Sequence, residues 1–337
     1  MVKYTNTSGI PLSLAVFLAS DNYDGYRSDP NTVSATTLLK PLRQVILAAR
    51  VPPGEGLPDL GQMLQNRMGA AIHDGIERAW LNNYKQALHD IGIPERVVSR
   101  IRVNPDPKEV QAILASGFEC IPVYLEQRAD RQVTVGGRTW TVTGKFDFVA
   151  EGMVEDFKST STITMQRGTN DEKYPLQGSI YRWLNPTIIT ADNMAINWIF
   201  TDWSKLRAMQ DPTYPQQRFV RKLFPLMSPA ATQAFIERKL ALIAQYWDAD
   251  EADIPECSDE ELWRSEPVFK YYKSGVVSAR STKNFDTMNE ALLRQQEDGG
   301  KGLIKAVPGQ VKACGYCPAF AACAQKDRLI ASGDLVL

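Results

Sequence analysis

Gly144-Lys145-Phe146-Asp147, followed by Val154-Glu155-Asp156-Phe157-Lys158, is the stretch that decides the fold. It predicts a strand ending in an aspartate, a turn, and a second strand presenting Asp-x-Lys. Alternate residues of a strand face one side, so Asp156 and Lys158 project together. Asp147 can reach the same point from the neighbouring strand. Two carboxylates and an ammonium make a poor core, but they suit a divalent metal held beside a phosphodiester.

Working outward, residues 130–158 alternate with period two. Gln132-Val133-Thr134-Val135 and Arg138-Thr139-Trp140-Thr141-Val142 flank Gly136-Gly137, a two-residue hairpin signal. The second strand is expected to run on through Gly144 to Asp147. Upstream, apolar residues at Met63, Leu64, Met68, Ile72, Ile76 and Trp80 predict one long helix over residues 60–90, with His73 and Glu77 on one face. Downstream, residues 173–184 read as a helix with Gln177 and Tyr181 four apart. Residues 194–200 read as a strand, and residues 230–247 as a helix. The order predicts an α/β or α+β fold, a mixed central sheet flanked by helices. Residues 33–39 look like a helix start with Ser34 or Thr36 as N-cap, and Pro52-Pro53-Gly54-Glu55-Gly56 breaks the chain afterwards. Three regions follow: a helical or irregular segment over 1–60, a core over 61–255, and a cysteine-rich region over 256–337.

The composition is ordinary for a globular chain of 337 residues, with 44% hydrophobic and 23% charged residues and a net charge of -1. Neutrality removes the simplest argument for a nucleic-acid partner, although metal-binding acids offset basic contacts. Met1-Val2-Lys3-Tyr4-Thr5 has no basic region followed by an apolar stretch, and no segment approaches the roughly 20 apolar residues of a membrane span. The expectation is a soluble protein, without a membrane partner, in the cytoplasm.

Phosphodiester hydrolysis needs an attacking water, charge neutralisation at phosphorus and help for the leaving oxygen. Asp147 and Asp156 fit Mg²⁺, which prefers oxygen ligands. Lys158 can orient the water, and His73 as a further ligand would favour Mn²⁺ as well. Each motif taken alone recurs by chance: Asp-x-Lys is usually a surface ion pair, and a helix histidine is usually packed. Their joint order is what carries weight.

That order resembles the RecB-like exonuclease branch of the PD-(D/E)XK nuclease superfamily. The helix histidine lies in Gly69-Ala70-Ala71-Ile72-His73-Asp74-Gly75-Ile76-Glu77. G-x-x-D is Gly144-Lys145-Phe146-Asp147, D-x-K is Asp156-Phe157-Lys158, and Q-x-x-x-Y is Gln177-Gly178-Ser179-Ile180-Tyr181. The resemblance implies a restriction-endonuclease-like core over about residues 60–200. It implies metal ligation by His73, Asp147, Asp156 and the Phe157 carbonyl, and catalysis by Lys158. It has Gln177 and Tyr181 organise the site and contact DNA. Alternation turns Glu155 to the other face, so no catalytic role falls to it. The implied activity is metal-dependent DNA cleavage in recombination, repair or replication, as in bacteriophage versions. The alternative is a catalytically inactive DNA-binding or assembly protein on the same fold. A recombination or single-strand-binding partner, and a homo-oligomer, stay open.

Cys314, Cys317 and Cys323 cluster near the C-terminus, and an odd total of five cysteines argues against a disulfide framework. Three thiolates with this spacing ask for a metal and a fourth ligand. Cys257 is the better candidate because it begins the same region, and Cys120 is the other. Spacing leaves structural Zn²⁺ and iron–sulfur open. The resemblance, to nucleases of the AddB and CRISPR-associated type, implies a 4Fe-4S cluster, although there the distant cysteine usually precedes the core. Lys270, Lys273, Arg280 and Lys283 lie in a stretch with no acid, interleaved with aromatics. With Arg218, Arg221 and Lys222 they are candidates for DNA contact, against the commoner reading of a solvated face.

Overall fold

The computed structural model describes residues 3–20, 29, 31–52, 54, 55, 57–168 and 170–336; Met1, Val2, Pro53 and Gly56 of the sequence reading lie outside them. The fold is mixed α/β. The chain forms two compact units, one from Met1–Leu39 with Leu57–Ala244 and one from Lys40–Gly56 with Gln245–Leu337.

The strands of the first unit are β1 (Thr32–Ser34), β2 (Ile101–Val103), β3 (Ile121–Leu125), β4 (Arg128–Val135), β5 (Arg138–Lys145), β6 (Phe148–Ala150), β7 (Met153–Thr160), β8 (Asn193–Phe200) and β9 (Phe219–Pro225). Six of them form a mixed sheet in the order β2-β3-β6-β7-β8-β9, and β1-β5-β4 form a second sheet. β8, between β7 and the edge strand β9, is apolar and buried through Met194, Ala195, Ile196, Trp198 and Phe200, as a strand covered on both faces should be. It runs parallel to β7, which sets Asp156 beside Ile196 and Lys158 beside Trp198. Gly136-Gly137 closes the β4–β5 hairpin, with Val135 opposite Arg138.

The strand expected to reach Asp147 stops at Lys145. Phe146 and Asp147 instead form a corner at which the chain leaves the three-stranded sheet and enters the six-stranded one as β6. Glu126 and Gln127 make the matching corner between β3 and β4. The two corners are stitched together by Glu126 N donating to Asp147 O at 2.9 Å and Phe146 N donating to Gln127 O at 3.2 Å. The buried Phe146 ring pins the second corner.

Two helix expectations also change. Residues 60–90 form a 3₁₀ turn (Leu60–Met63), a helix (Leu64–Asn82) and a second helix (Tyr84–Asp90), because Asn83 leaves helical geometry at φ -130° and ψ 1°. Asparagine competes poorly inside a helix, and apolar periodicity does not register the break. Residues 33–39 start as β1, and the short helix Ala35–Leu38 follows with Ser34, not Thr36, accepting from Thr37 N at 3.0 Å. The helices expected over 173–184 and 230–247 are Lys173–Leu184 and Pro229–Tyr246.

The second unit carries the small sheet β11-β10-β12, made of β10 (Val268–Tyr272), β11 (Lys283–Phe285) and β12 (Leu303–Val307). Its apolar clusters draw in the cysteines. Ile46, Leu47, Ile254 and Ala319 pack with Cys317 and Cys323, and Leu262, Val311, Leu329 and Leu335 pack with Cys257 and Cys314. Among the described residues, no helix is long and apolar enough to cross a membrane.

Gly144 shows why a glycine precedes Asp147. A Cβ there would lie 2.7 Å from Leu184 Cδ1 and 3.1 Å from the Tyr181 ring, so the Lys173–Leu184 helix sits directly on this position. Gly144→Ala should cost about 1–3 kcal/mol through overpacking. An unchanged denaturant midpoint would show that the helix does not seat there.

Candidate functional site

His73 reaches the site because the Leu64–Asn82 helix lies close on β7. A Cβ on Gly69, one turn earlier, would be 3.2 Å from Ser159 Oγ. Trp80 and Tyr84 hold the same helical layer against Val123, Leu125 and Phe148. His73 Nε2 then lies 2.9 Å from the Phe157 carbonyl, and its ring meets Phe157 edge-on at 6.0 Å. On its other side, His73 Nδ1 lies 3.4 Å from Asp147 Oδ2 and 3.7 Å from Glu126 Oε1.

Asp147 Oδ2 also accepts from Phe157 N at 3.0 Å, which ties the corner to β7. Asp156 is buried, and Lys158 Nζ lies 2.6 Å from its Oδ2. That oxygen has this ion-pair partner but no well-directed hydrogen bond, so the pair leaves it under-satisfied. Gln177 Nε2 donates to the Tyr181 hydroxyl at 2.7 Å. All of these except Glu126 line one cleft of about 750 Å³, together with Lys3 and Arg67. The structure thus brings together His73, Asp147, Asp156, Phe157, Lys158, Gln177 and Tyr181. Glu155 points elsewhere, to Asn197 and Arg221 at 2.7 Å each.

Glu126 is the residue the sequence reading missed. His73, Glu126 and Asp147 each place a ligand atom within 4.8 Å of the others, a spacing fit for a metal ion. Lys145 Nζ pairs with Glu126 Oε2 at 2.6 Å. The signal was available as an apolar run, Val123-Tyr124-Leu125, that ends in an acid just as Phe146 ends in Asp147.

The electrostatics follow from burial and crowding. Burial pulls the His73 pKa down, but hydrogen bonding to Asp147 and Glu126 outweighs it and raises the value to about 10. Both ring nitrogens face acceptors, as an imidazolium requires. Burial pushes Asp156 up to about 6, against the pull of Lys158. Burial also opposes ionisation of Asp147, yet His73 and Lys158 hold its carboxyl below the ordinary value. Lys158 is raised: burial opposes its charge, but Asp156 and Asp147 prevail. Carboxylates, one carbonyl and one imidazole form the donor set of Mg²⁺ or Mn²⁺.

The four C-terminal cysteines gather in the second unit, and all are free thiols. The buried Gln325 side chain clamps the Cys257 backbone, accepting from its N–H and donating to its carbonyl at 2.9 Å each. Burial first, then Glu261, Cys323 and Cys317, push the Cys257 thiol up to about 12. Burial, with neighbouring cysteines, raises Cys314, and it raises Cys317 as well. Cys257 therefore keeps company with the other three, while Cys120 belongs to the first unit at the start of β3. Lys270, Lys273 and Lys283 sit on or beside the small sheet, with Arg280 in the loop between β10 and β11. Lys273 is bound to Asp298 at 2.9 Å and Lys283 lies over Phe285. On β9, Arg221 pairs with Glu155 and Lys222 with Asp171.

Proton displacement gives a testable sign. Because His73 is protonated below about pH 10 and a ligating imidazole must be neutral, metal binding must release a proton. Mn²⁺ affinity should therefore rise from about pH 6.5 to 8.5, and His73→Gln should flatten that rise. Calorimetry in buffers of different ionisation enthalpy reads both; equal slopes in the two proteins would remove His73 from the ligand set.

No protein-family model and no curated protein matches the chain. Among solved structures, the protein SSO0001 aligns at a TM-score of 0.40 with 14% identity, over 68% of this chain and 83% of that one. A phage-related exonuclease from Haemophilus somnus 129PT aligns at a TM-score of 0.24 with 14% identity, over 42% of this chain and 68% of that one. Likenesses this weak carry no functional weight beside the geometry of the site itself.

Proposed function

We propose that the protein is a divalent-metal-dependent DNA nuclease of the RecB-like type that acts as an exonuclease. The observation that carries the reading is the convergence of His73, Glu126 and Asp147 within 4.8 Å, in the first unit that also holds the buried Asp156–Lys158 pair. The residues fit Mg²⁺ or Mn²⁺. When bound, such an ion neutralises charge at phosphorus and lowers the pKa of a water.

The chain's own residues do the rest. Asp147 and Asp156 fix the acidic wall, and His73 joins it once deprotonated. Lys158 is held by Asp156, which aims its ammonium at the attacking water and at the phosphate charge that builds as the new P–O bond forms and the ester P–O bond breaks. Gln177 orients the Tyr181 hydroxyl at the mouth of the cleft, and Lys3 and Arg67 supply cationic groups on its wall. DNA is the substrate in recombination, repair or replication, in a bacteriophage setting and in the cytoplasm, the host's for a viral chain. The basic residues Lys270, Lys273, Arg280 and Lys283 are further DNA contacts in this reading.

The four cysteines are assigned a structural metal group, and a 4Fe-4S cluster is preferred over Zn²⁺. That preference rests on the resemblance to nucleases with a C-terminal C-x2-C-x5-C; four thiols gathered in one unit suit either group.

End-labelled linear and circular DNA should test the activity, with Mg²⁺, Mn²⁺ or EDTA. Wild type should digest linear DNA only with metal, while Asp156→Asn and Lys158→Met fall to about one hundredth of that rate or less and keep their far-UV spectrum. Digestion by all three proteins at one rate would sink the assignment, and retention of DNA without cleavage would favour the inactive binding protein. Glu126→Gln should lose about tenfold or more, by weaker Mn²⁺ binding, if it completes the ligand set.

A further inference from the structure

The second unit buries one guanidinium that no part of the nuclease reading uses. Arg43 is 3% exposed and lies in the helix Leu42–Ala48, far in sequence from everything it touches. One terminal nitrogen donates to the Ile254 carbonyl at 2.8 Å and to the Glu251 carbonyl at 3.3 Å. The other meets the Glu251 carboxylate. These contacts describe a brace. A further bond does not belong to a brace: Nε donates to Cys323 Sγ at 3.4 Å, across 280 positions.

A thiol is a weak acceptor and a thiolate a good one, so an N–H aimed at sulfur marks where negative charge is expected. Four thiolates around Zn²⁺, or around a cluster core of charge +2, keep a net charge of about −2. In a half-buried site, that charge is stabilised by cations nearby. Lys40 acts electrostatically on Cys317, and Lys326 on Cys314. Arg43 is the buried member of this set, and its Nε is bonded to a sulfur.

We propose that Arg43 is a positioning residue for the metal group of Cys257, Cys314, Cys317 and Cys323: its Nε–H fixes Cys323 Sγ and its buried charge offsets the thiolates. Glu251 competes for the same guanidinium and sets how much of that charge the sulfurs receive. The inference rests on the reading that the four cysteines hold a metal, and it is independent of nuclease activity.

The test uses the full chain, purified without oxygen and assayed for iron, sulfide and zinc. Metal loss to excess chelator is followed for wild type, Arg43→Gln, Arg43→Lys and Glu251→Gln. Arg43→Gln should lose its metal roughly 10- to 100-fold faster, the usual cost of removing a partner of a metal ligand. Arg43→Lys keeps the charge without the Nε bond and should fall between. Glu251→Gln should lose it no faster than wild type, because the guanidinium charge then serves the sulfurs alone. Where iron is present, the reduction potential should fall in Arg43→Gln and rise in Glu251→Gln. A pure brace predicts the same loosening from either side of the ion pair, so faster loss in Glu251→Gln would overturn the proposal. Wild-type loss rates in Arg43→Gln would overturn it as well. A wild-type chain that takes up neither iron nor zinc on anaerobic reconstitution would overturn the cysteine reading, and the role of Arg43 with it. If Arg43→Gln fails to fold, faster loss in Arg43→Lys beside no faster loss in Glu251→Gln still decides.

Discussion

The backbone bond from Glu126 N to Asp147 O holds the acidic site together. Two strand pairs change sheets side by side, β3 into β4 and β5 into β6. Leaving a sheet normally strands backbone donors and acceptors, which buried segments do not tolerate. Here each corner satisfies the other, and the side chains at the bends are freed from both ladders. Glu126 adopts φ 49°, a left-handed conformation that costs a non-glycine residue on the order of 1 kcal/mol. That cost is offset by the paired corners, and it turns the Glu126 side chain toward His73 and Asp147. Phe146 at 0% exposure locks the bend from below.

The acidic wall follows from that bend. Asp147 reaches β7 through Phe157 N, so the backbone that carries Asp156 and Lys158, already in register with β8, is tied to the corner as well. The Lys173–Leu184 helix closes the other side by packing Tyr181 and Leu184 onto Gly144. Three motifs separated in sequence thus share one small volume, and each has the residue its neighbour's shape demands. The glycine of G-x-x-D is there for the Leu184 and Tyr181 side chains packed on it, and not for the flexibility of its own backbone.

Local pattern made much of this legible. Period two located β4, β5 and β7, and strand alternation alone set Asp156 and Lys158 on one face and Glu155 on the other. The Lys173–Leu184 helix matched its expected bounds. The end of β5 was not legible, because a change of sheet is a tertiary event: Gly144, Lys145 and Phe146 would read the same in a strand that continued. Nor was the helix break at Asn83, since one asparagine barely disturbs apolar periodicity. Glu126 was hidden because it carries no motif and acts only through a corner formed with residues some twenty positions on. Arg43 was hidden more deeply, since its partner Cys323 lies 280 positions away and its segment, residues 40–56, is separated in sequence from the rest of its unit by Leu57–Ala244.

The charges explain how the acidic site can fold without an ion in it. Glu126, Asp147 and Asp156 face His73, Lys145 and Lys158, with Glu77 in electrostatic reach of Glu126 and Lys145. The three cations offset most of the carboxylate charge, so the site does not depend on an ion to relieve the repulsion of clustered carboxylates. A divalent cation entering it must therefore displace positive charge already present. His73 is the member that can give way at least cost, since it sheds a proton and stays as a ligand, whereas Lys145 and Lys158 can only move. Lys158 is held by the buried Asp156, and Lys145 is paired with Glu126 at the half-buried corner. In the proposed function, binding of a divalent ion would be coupled to proton release from the imidazole and to withdrawal of Lys145 from Glu126, with Lys158 kept beside Asp156 for the phosphate.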